Sequence, residues 1–188
     1  IYGTQMARAT YHGVKRFAYP KRPFVITRSA YAGAQRYTSS WTGDNVASWE
    51  HLWIANIQMQ RMSISGMGFT GSDIGGFAEQ PSGELYARWI QLGVFHPFCR
   101  THSSGDHGDQ EPWAFDEEVT NIIRKFVNLR YQLLPYLYTM FWQYIEQGIP
   151  MLKPLVYYDQ DDIQTHYRND EFIFGNQILV CPILEPNS

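Results

Sequence analysis

Two aspartates stand in short polar segments whose residue types could carry acid and base chemistry. Asp44 follows a tryptophan and a glycine, and Asp73 lies between glycines, while Arg100 and His102 close a third polar segment. Each segment lies at the end of a run typical of a β-strand, and side chains at the carboxyl ends of parallel strands project into a common crevice. The sequence therefore predicts one shared pocket built from three segments.

Carboxylates beside aromatic residues suggest cleavage of glycosidic bonds. In retaining glycosidases one carboxylic acid protonates the leaving oxygen, and a second carboxylate about 5 Å away acts as the nucleophile. A neighbouring aromatic wall helps a general acid by desolvating it, and Trp41 precedes Asp44 by three residues. From local residue types alone, Asp44 and Asp73 would be this pair.

Other interpretations of the same residues stay open at this level. Asp44 and Asn45 could cap the following helix, and a glycine-flanked Asp73 could belong to an ordinary turn. His102 could be a core histidine, a hydrogen-bond donor to sugar hydroxyls, or a metal ligand together with Asp106, His107 or Asp109.

Composition excludes several classes of protein. Aromatic residues are 16% of the 188 residues and charged residues only 18%, with a net charge of −3. The 15 Lys and Arg residues are scattered along the chain, so nucleic acid is not expected as a partner. We expect no membrane span, because no apolar run reaches about 18 residues. Cys99 and Cys181 lie in apolar runs, where buried free thiols are expected in place of a disulfide, and their spacing does not suit zinc.

Helical and strand patterns alternate, which predicts an α/β fold with parallel strands. Helices are expected over 5–17, 48–63, from 83 onward, and over 116–148 with a bend or break at Pro135. Strands are expected over 24–28, 67–74 and 94–99, and then, in a different texture, over 155–158, 171–174 and 177–181. A domain boundary is therefore expected between 150 and 165, with domains 1–150 and 151–188.

Several multi-residue motifs occur together and in order along nearly the whole chain. They are Arg22-Pro23-Phe24-Val25-Ile26-Thr27-Arg28-Ser29, Gln35-Arg36-Tyr37, Trp41-Thr42-Gly43-Asp44-Asn45, Trp49-Glu50, Gly71-Ser72-Asp73-Ile74-Gly75-Gly76-Phe77, the run 91–102, and Glu111-Pro112-Trp113. This set resembles glycoside hydrolase family 31, and is most similar to its α-glucosidase branch, which includes glucosidase II-like enzymes.

The resemblance implies a retaining exo-α-glucosidase acting on α-glucoside oligosaccharides without a metal or organic cofactor. It implies the C-terminal half of a (β/α)8 TIM barrel followed by the start of a β-sandwich domain. Asp44 matches the general acid/base of the family. The positions that match its glucose subsite are Arg28, Trp41, Asp73 and His102, with Phe77 at the rim and Arg100 as a supporting residue.

The resemblance also changes the pairing of the carboxylates. In the family the nucleophilic aspartate lies in a tryptophan-rich motif upstream of the position of Ile1, so Asp73 is reassigned to hydroxyl binding. We therefore expect the nucleophile in the remainder of the polypeptide or in a companion chain. A secreted, periplasmic or organelle-lumen location is expected more than a cytoplasmic one.

Three alternatives to an α-glucosidase remain at this level. The first is a related α-xylosidase, sulfoquinovosidase, transglycosylase or α-glucanotransferase, since such enzymes share the acid and differ in other pocket contacts. The second is a carbohydrate-binding relative without turnover. The third is a barrel fragment of unrelated function.

Overall fold

Short parallel strands form the framework of the first part of the chain. The computed structural model describes residues 1–187. Strands β1 (Ile26–Thr27), β2 (Ser39–Trp41) and β3 (Thr70–Gly71) pair in that order, all parallel. Strand β4 (Asp73–Ile74) follows β3 after one residue and pairs in parallel with β5 (Arg100–Thr101). The expected parallel α/β arrangement is confirmed.

Four α-helices alternate with these strands: α1 (Tyr2–Phe17), α2 (Trp49–Ile64), α3 (Gly83–Gly93) and α4 (Glu117–Gln147). Three of them begin at a side-chain cap that accepts a backbone N–H three residues on: Ser48 before α2, Ser82 before α3 and Asp116 before α4. Such caps satisfy N–H groups that have no partner within the helix. The chain alone therefore specifies where these helices begin.

Helix α4 is one continuous helix of 31 residues that contains Pro135. A break at Pro135 was one of two expectations from the sequence, and the structure excludes it. Gly148 caps the C-terminal end of the helix. Its left-handed φ of 70° suits glycine, and the Gly148 N–H donates to the Tyr144 carbonyl.

Two expected strands are wrong. Residues 94–99 are not a strand, and β5 begins only at Arg100. The reason is that the Arg130 guanidinium donates hydrogen bonds of 2.6 to 3.0 Å to the carbonyls of Val94, His96 and Pro97. Residues 155–157 form a 3₁₀ turn directly after Pro154. Proline has no N–H for a strand ladder, and its carbonyl accepts from Tyr157 N instead.

The remaining differences are smaller. Strand β1 covers only two residues of the expected 24–28, and the expected strand 67–74 is divided into β3 and β4. Cys99 and Cys181 are both free thiols. The expectation that both are buried is wrong, since Cys181 is exposed and Cys99 is half-buried.

An antiparallel sheet follows α4 and shares the core with the helices. It contains β6 (Leu152–Lys153), β7 (Phe172–Phe174) and β8 (Ile178–Val180) in that order. Leu152 N–H donates to the Ser63 hydroxyl of α2 at 2.9 Å. The Phe174 ring is fully buried and contacts the rings of Phe95 and Tyr136. The sheet therefore packs against α2 through Ser63 and against α4 through Tyr136.

Gly71 lets β3 approach the segment before β5. A Cβ at position 71 would lie 1.7 Å from the Phe98 carbonyl oxygen, a backbone clash that no rotamer change relieves. We expect Gly71→Ala to lower the free energy of unfolding by about 3 kcal/mol. Urea unfolding measures this, with Gly13→Ala in α1 as the control.

The control has the opposite expected sign. A Cβ at Gly13 would meet nothing within 4 Å, and alanine favours a helix interior over glycine by about 0.8–1 kcal/mol. Equal stability of Gly71→Ala and the parent protein would contradict the close approach of the two segments.

Candidate active site

Arg28 and Asp44 meet where β1 and β2 end. Arg28 directly follows β1, and Gly43, in a left-handed conformation with φ of 87°, carries the chain from β2 to Asp44. The Arg28 Nη2 atom lies 3.3 Å from Asp44 Oδ2, with the two side chains 62% and 39% exposed. The pair is therefore a charged group on an open edge, reachable by a polar ligand.

Asp73 is a fully buried carboxylate on β4, the strand that follows β3 after one residue. Its Oδ1 accepts from Arg100 Nε at 3.0 Å, while its Oδ2 has no hydrogen-bond partner within residues 1–187. Burial raises the pKa of Asp73, and Asp44 adds to the rise, whereas Arg100 and His102 oppose it. A buried, half-satisfied carboxylate is costly to a fold, which makes it a candidate for ligand binding.

Trp41 lies beside this ion pair. The Arg100 guanidinium sits 4.9 Å from the Trp41 ring centroid, within the range of a cation–π contact. The indole Nε1 of Trp41 is buried and has no partner among the described residues. One face of the indole is therefore occupied by Arg100, which links Trp41 to Asp73.

Phe77 and His102 form an aromatic pair, with ring centroids 5.3 Å apart and ring planes at 34°. Phe77 is half-buried and His102 exposed. Ser104 N–H donates to the Phe77 carbonyl at 2.9 Å, which ties the loop after β5 to the loop after β4.

The loops that carry Asp44 and Asp73 are joined by Asn45. Its Nδ2 donates to the Asp73 carbonyl and its Oδ1 accepts from Phe77 N–H, both at 2.9 Å. The cap of α2 is Ser48, which accepts from His51 N–H, so the interpretation of Asp44 and Asn45 as a helix cap is wrong. No local pattern in the sequence shows that Asn45 reaches a strand 28 residues later, so this bridging role is visible only in the fold.

The core histidine of this region is His96, not His102. His96 is fully buried, and desolvation, with a contribution from Arg130, lowers its pKa to about 3. His102 is exposed, which excludes the core interpretation for it. Within residues 1–187, no three His, Cys, Asp or Glu side chains group as metal ligands.

Two cavities adjoin the parallel strands, one on each side. A cavity of about 90 Å³ is lined by Asp44 together with Thr42, Asn45 and His51, and is too small for a sugar ring. A cavity of about 710 Å³ lies at the amino ends of the strands, against Phe24, Ser39 and Phe69. The larger cavity therefore lies at the opposite end of the strands from Asp44.

Across residues 1–187, no helix combines the length and apolar character needed to cross a membrane.

Charged and aromatic side chains thus gather at the carboxyl ends of consecutive parallel strands, and this arrangement defines an α/β-barrel type of enzyme site. Two family models agree with it. The glycosyl hydrolases family 31 TIM-barrel domain matches residues 1–140, and the glycosyl hydrolase family 31 C-terminal domain matches residues 148–188. The chain belongs to glycoside hydrolase family 31.

Curated relatives and solved structures of similar enzymes match this chain over nearly its whole length. Alpha-glucosidase 2 of Bacillus thermoamyloliquefaciens is 44% identical over 188 residues, covering all of this chain and 24% of the relative. The catalytic subunit in a crystal structure of an ER glucosidase II heterodimeric complex has a TM-score of 0.95 at 36% identity, covering 99% of this chain and 21% of that chain. A soil-metagenome family 31 α-xylosidase bound to xylose has a TM-score of 0.90 at 29% identity, covering 98% of this chain and 31% of that chain. The chain thus spans about a quarter of the curated relative's length.

Proposed function

We propose that this chain is the later part of a retaining exo-α-glucosidase that removes terminal α-linked glucose from oligosaccharides, with Asp44 as the general acid/base. The observation that carries the proposal is the convergence of the Arg28–Asp44 and Asp73–Arg100 pairs at the ends of neighbouring parallel strands. Membership of family 31 and the α-glucosidase relative support it.

The proposed glucose subsite uses the unsatisfied polar groups of the site. The free Oδ2 of Asp73 accepts a hydrogen bond from a ring hydroxyl, and the exposed Arg28 turns from Asp44 towards another hydroxyl as substrate enters. His102 donates a further hydrogen bond, and Trp41 and Phe77 cover apolar faces of the sugar. Arg100 supports the subsite by holding Asp73. Hydrogen bonds to charged groups give this recognition its strength and orientation.

The proposed reaction has two steps. A nucleophilic aspartate outside residues 1–188 attacks the anomeric carbon through an oxocarbenium-like transition state, while protonated Asp44 gives its proton to the departing oxygen as the C–O bond breaks. The first step leaves the sugar bonded to the nucleophilic carboxylate. Asp44 then takes a proton from water as the water attacks the same carbon, the bond to the carboxylate breaks, and the sugar is released with retained configuration.

We propose that the rest of the enzyme lies in other segments. Residues 1–150 would be the second half of the catalytic barrel and residues 151–188 the start of the C-terminal β-domain. The nucleophile would come from the remainder of the polypeptide or from a companion chain. One of the similar solved structures is an ER glucosidase II complex of a catalytic subunit with the binding domain of a regulatory subunit. Its ER origin supports a compartment outside the cytosol for this protein too.

An α-xylosidase is the second candidate, favoured by the close match to the xylose-bound structure. The complete enzyme is tested on maltose and on aryl α-glucosides and α-xylosides, and proton NMR follows the first anomer released. Faster cleavage of the glucosides with initial release of the α-anomer supports the proposal. Faster cleavage of the xyloside favours the second candidate, and initial β-anomer contradicts retention.

Arg28→Ala should weaken ground-state and transition-state binding together. Removing a charged hydrogen-bond donor is expected to lower kcat/KM on maltose about 10- to 100-fold and to raise the inhibition constant of glucose. The control is Arg8→Ala, an exposed arginine on α1, which should leave both constants unchanged. Unchanged kcat/KM for Arg28→Ala would remove Arg28 from the subsite.

A further inference from the structure

We propose that Asn45 is a positioning residue that holds the general acid Asp44 at a fixed place relative to the glucose subsite. The inference rests on the proposed function, since it concerns the placement of the same acid. Asn45 directly follows Asp44 in the chain, and only 8% of it is exposed. It therefore acts from inside the protein and does not compete for substrate.

Four hydrogen bonds, two of which share the Phe77 N–H, join this one residue to β4 and the loop after it. The side-chain amide donates to the Asp73 carbonyl and accepts from Phe77 N–H. The Asn45 backbone carbonyl accepts from Phe77 N–H and Ala78 N–H, each at 2.9 Å. The residue carrying the acid is thus joined, through its immediate neighbour, to the strand and loop that carry the subsite.

The two loops also touch at the backbone beside this junction. A Cβ on Gly76 would lie 2.4 Å from Ala47 N, and Val46 forms a parallel β-bridge with Ala78. On its other side the Asp44 loop is held to α2, since Val46 N–H donates to His51 Nδ1 at 3.1 Å. The loop that carries the acid is therefore held on one side by β4 and the loop after it, mainly through Asn45, and on the other side by α2.

The chemistry of the junction requires an amide. One end must donate to a carbonyl and the other must accept from an N–H, and asparagine provides both on one short side chain. Aspartate has the same shape, but it would place an oxygen against the Asp73 carbonyl oxygen and bury a charge. Asn45→Asp therefore keeps the volume and disturbs the junction.

Asp73 keeps other supports when this junction is disturbed. Its side chain stays paired with Arg100, its carbonyl still accepts from Gly76 N–H, and β4 stays paired with β5. We therefore expect Asn45→Asp to misplace Asp44 more than the subsite. Misplacing a catalytic group by about 1 Å costs about 100-fold in rate.

The test compares two substrates in the complete enzyme, namely maltose, whose leaving group needs a proton, and an aryl α-glucoside whose phenolate leaves without one. For Asn45→Asp and Asn45→Ser we expect kcat/KM to fall 10- to 100-fold on maltose and less than threefold on the aryl glucoside. The inhibition constant of glucose should change less than threefold. The ratio of the two kcat/KM values does not depend on how much enzyme is folded, so partial misfolding does not obscure it.

The control is Asn56→Ala. Asn56 is a fully buried amide on α2 whose Nδ2 donates to the Asn169 carbonyl, so its loss removes a comparable bond away from the strand ends. It should leave the maltose-to-aryl ratio unchanged. An equal loss on both substrates for the Asn45 variants would overturn the inference and leave Asn45 with a structural role alone.

Failure of the inference is separable from failure of the proposed function. If Asp44→Ala lowers maltose cleavage selectively while the Asn45 variants keep the parental ratio, Asp44 is the acid and Asn45 does not position it. If Asp44→Ala itself keeps the parental ratio, the acid assignment fails, and the inference about Asn45 fails with it.

Discussion

Asp44→Ala is expected to lower kcat/KM on maltose by about 10² to 10⁴, the range for loss of a general acid, and to leave the departure of a good phenolate almost unaffected. A sugar alkoxide is a poor leaving group and needs a proton as the bond breaks, whereas a phenolate stabilises its own charge. Steady-state kinetics on maltose and an aryl α-glucoside measures the difference directly.

The control for this variant is Asp161→Ala. Asp161 is an exposed carboxylate in the segment after β6, so removing it takes away the same charge without touching the strand ends. It should leave both substrates at parental rates. Equal activity of Asp44→Ala and the parent on both substrates would discard the acid assignment.

The result also bears on Arg28, which forms a salt bridge with Asp44. When the carboxylate is removed, the Arg28 side chain loses its partner but remains exposed. Exposed ion pairs contribute little to stability, about 0–1 kcal/mol. Unfolding of Asp44→Ala should therefore resemble that of the parent, so a large loss of activity would report chemistry and not folding.

Local signals predicted most of the helices in this chain. Ser48, Ser82 and Asp116 are residue types that accept a backbone N–H at a helix start, and all three do so in the structure. The apolar spacing after each cap then indicates which face is buried. The parallel sheet followed from the alternation of these helices with short apolar runs.

Long-range hydrogen bonds explain where prediction failed. The apolar run 94–99 has strand composition, but Arg130 from α4, more than 30 residues later, binds three of its carbonyls. Tertiary contacts of this kind override local preference. No pattern within the run itself shows that these carbonyls are taken.

In the candidate site, too, some features could be predicted from local sequence and others depend on the fold. Residue types at strand ends singled out Asp44, Asp73 and His102 as candidates, whereas the role of Arg100 came only from the family resemblance. The contact between Asp73 and Arg100, which are 27 residues apart, depends on the register of β4 against β5. The register places Asp73 directly opposite Arg100, and only the fold supplies that information.

Asp73→Asn is expected to weaken binding of the sugar without lowering the stability of the fold. The carboxylate is proposed to accept a sugar hydroxyl, and hydrogen bonds to charged groups contribute about 1.5–3 kcal/mol. The variant should therefore lose about one to two orders of magnitude in kcat/KM on maltose and bind glucose more weakly. Kinetics and glucose inhibition in the complete enzyme measure both effects.

The stability of the same variant should not fall with its activity. Burial raises the pKa of Asp73 in the folded protein above its ordinary value of 3.8, so the folded state holds this proton more tightly than the unfolded state. The cost of ionising Asp73 therefore grows as pH rises from 3.8 through the raised pKa, and is fully present above it. Asp73→Asn removes this cost, so at neutral pH the variant should unfold at the same denaturant concentration as the parent or a higher one.

The control for both measurements is Asp170→Asn, which neutralises an aspartate paired with Arg168 at the surface, where both side chains are about half exposed. It should change neither activity nor the pH dependence of unfolding. If Asp73→Asn were clearly less stable than the parent at neutral pH, the ion pair with Arg100 would outweigh burial, and Asp73 would be a structural carboxylate. A stable variant with weak glucose binding would instead mean that the fold tolerates a strained, buried charge at the site where the substrate needs it.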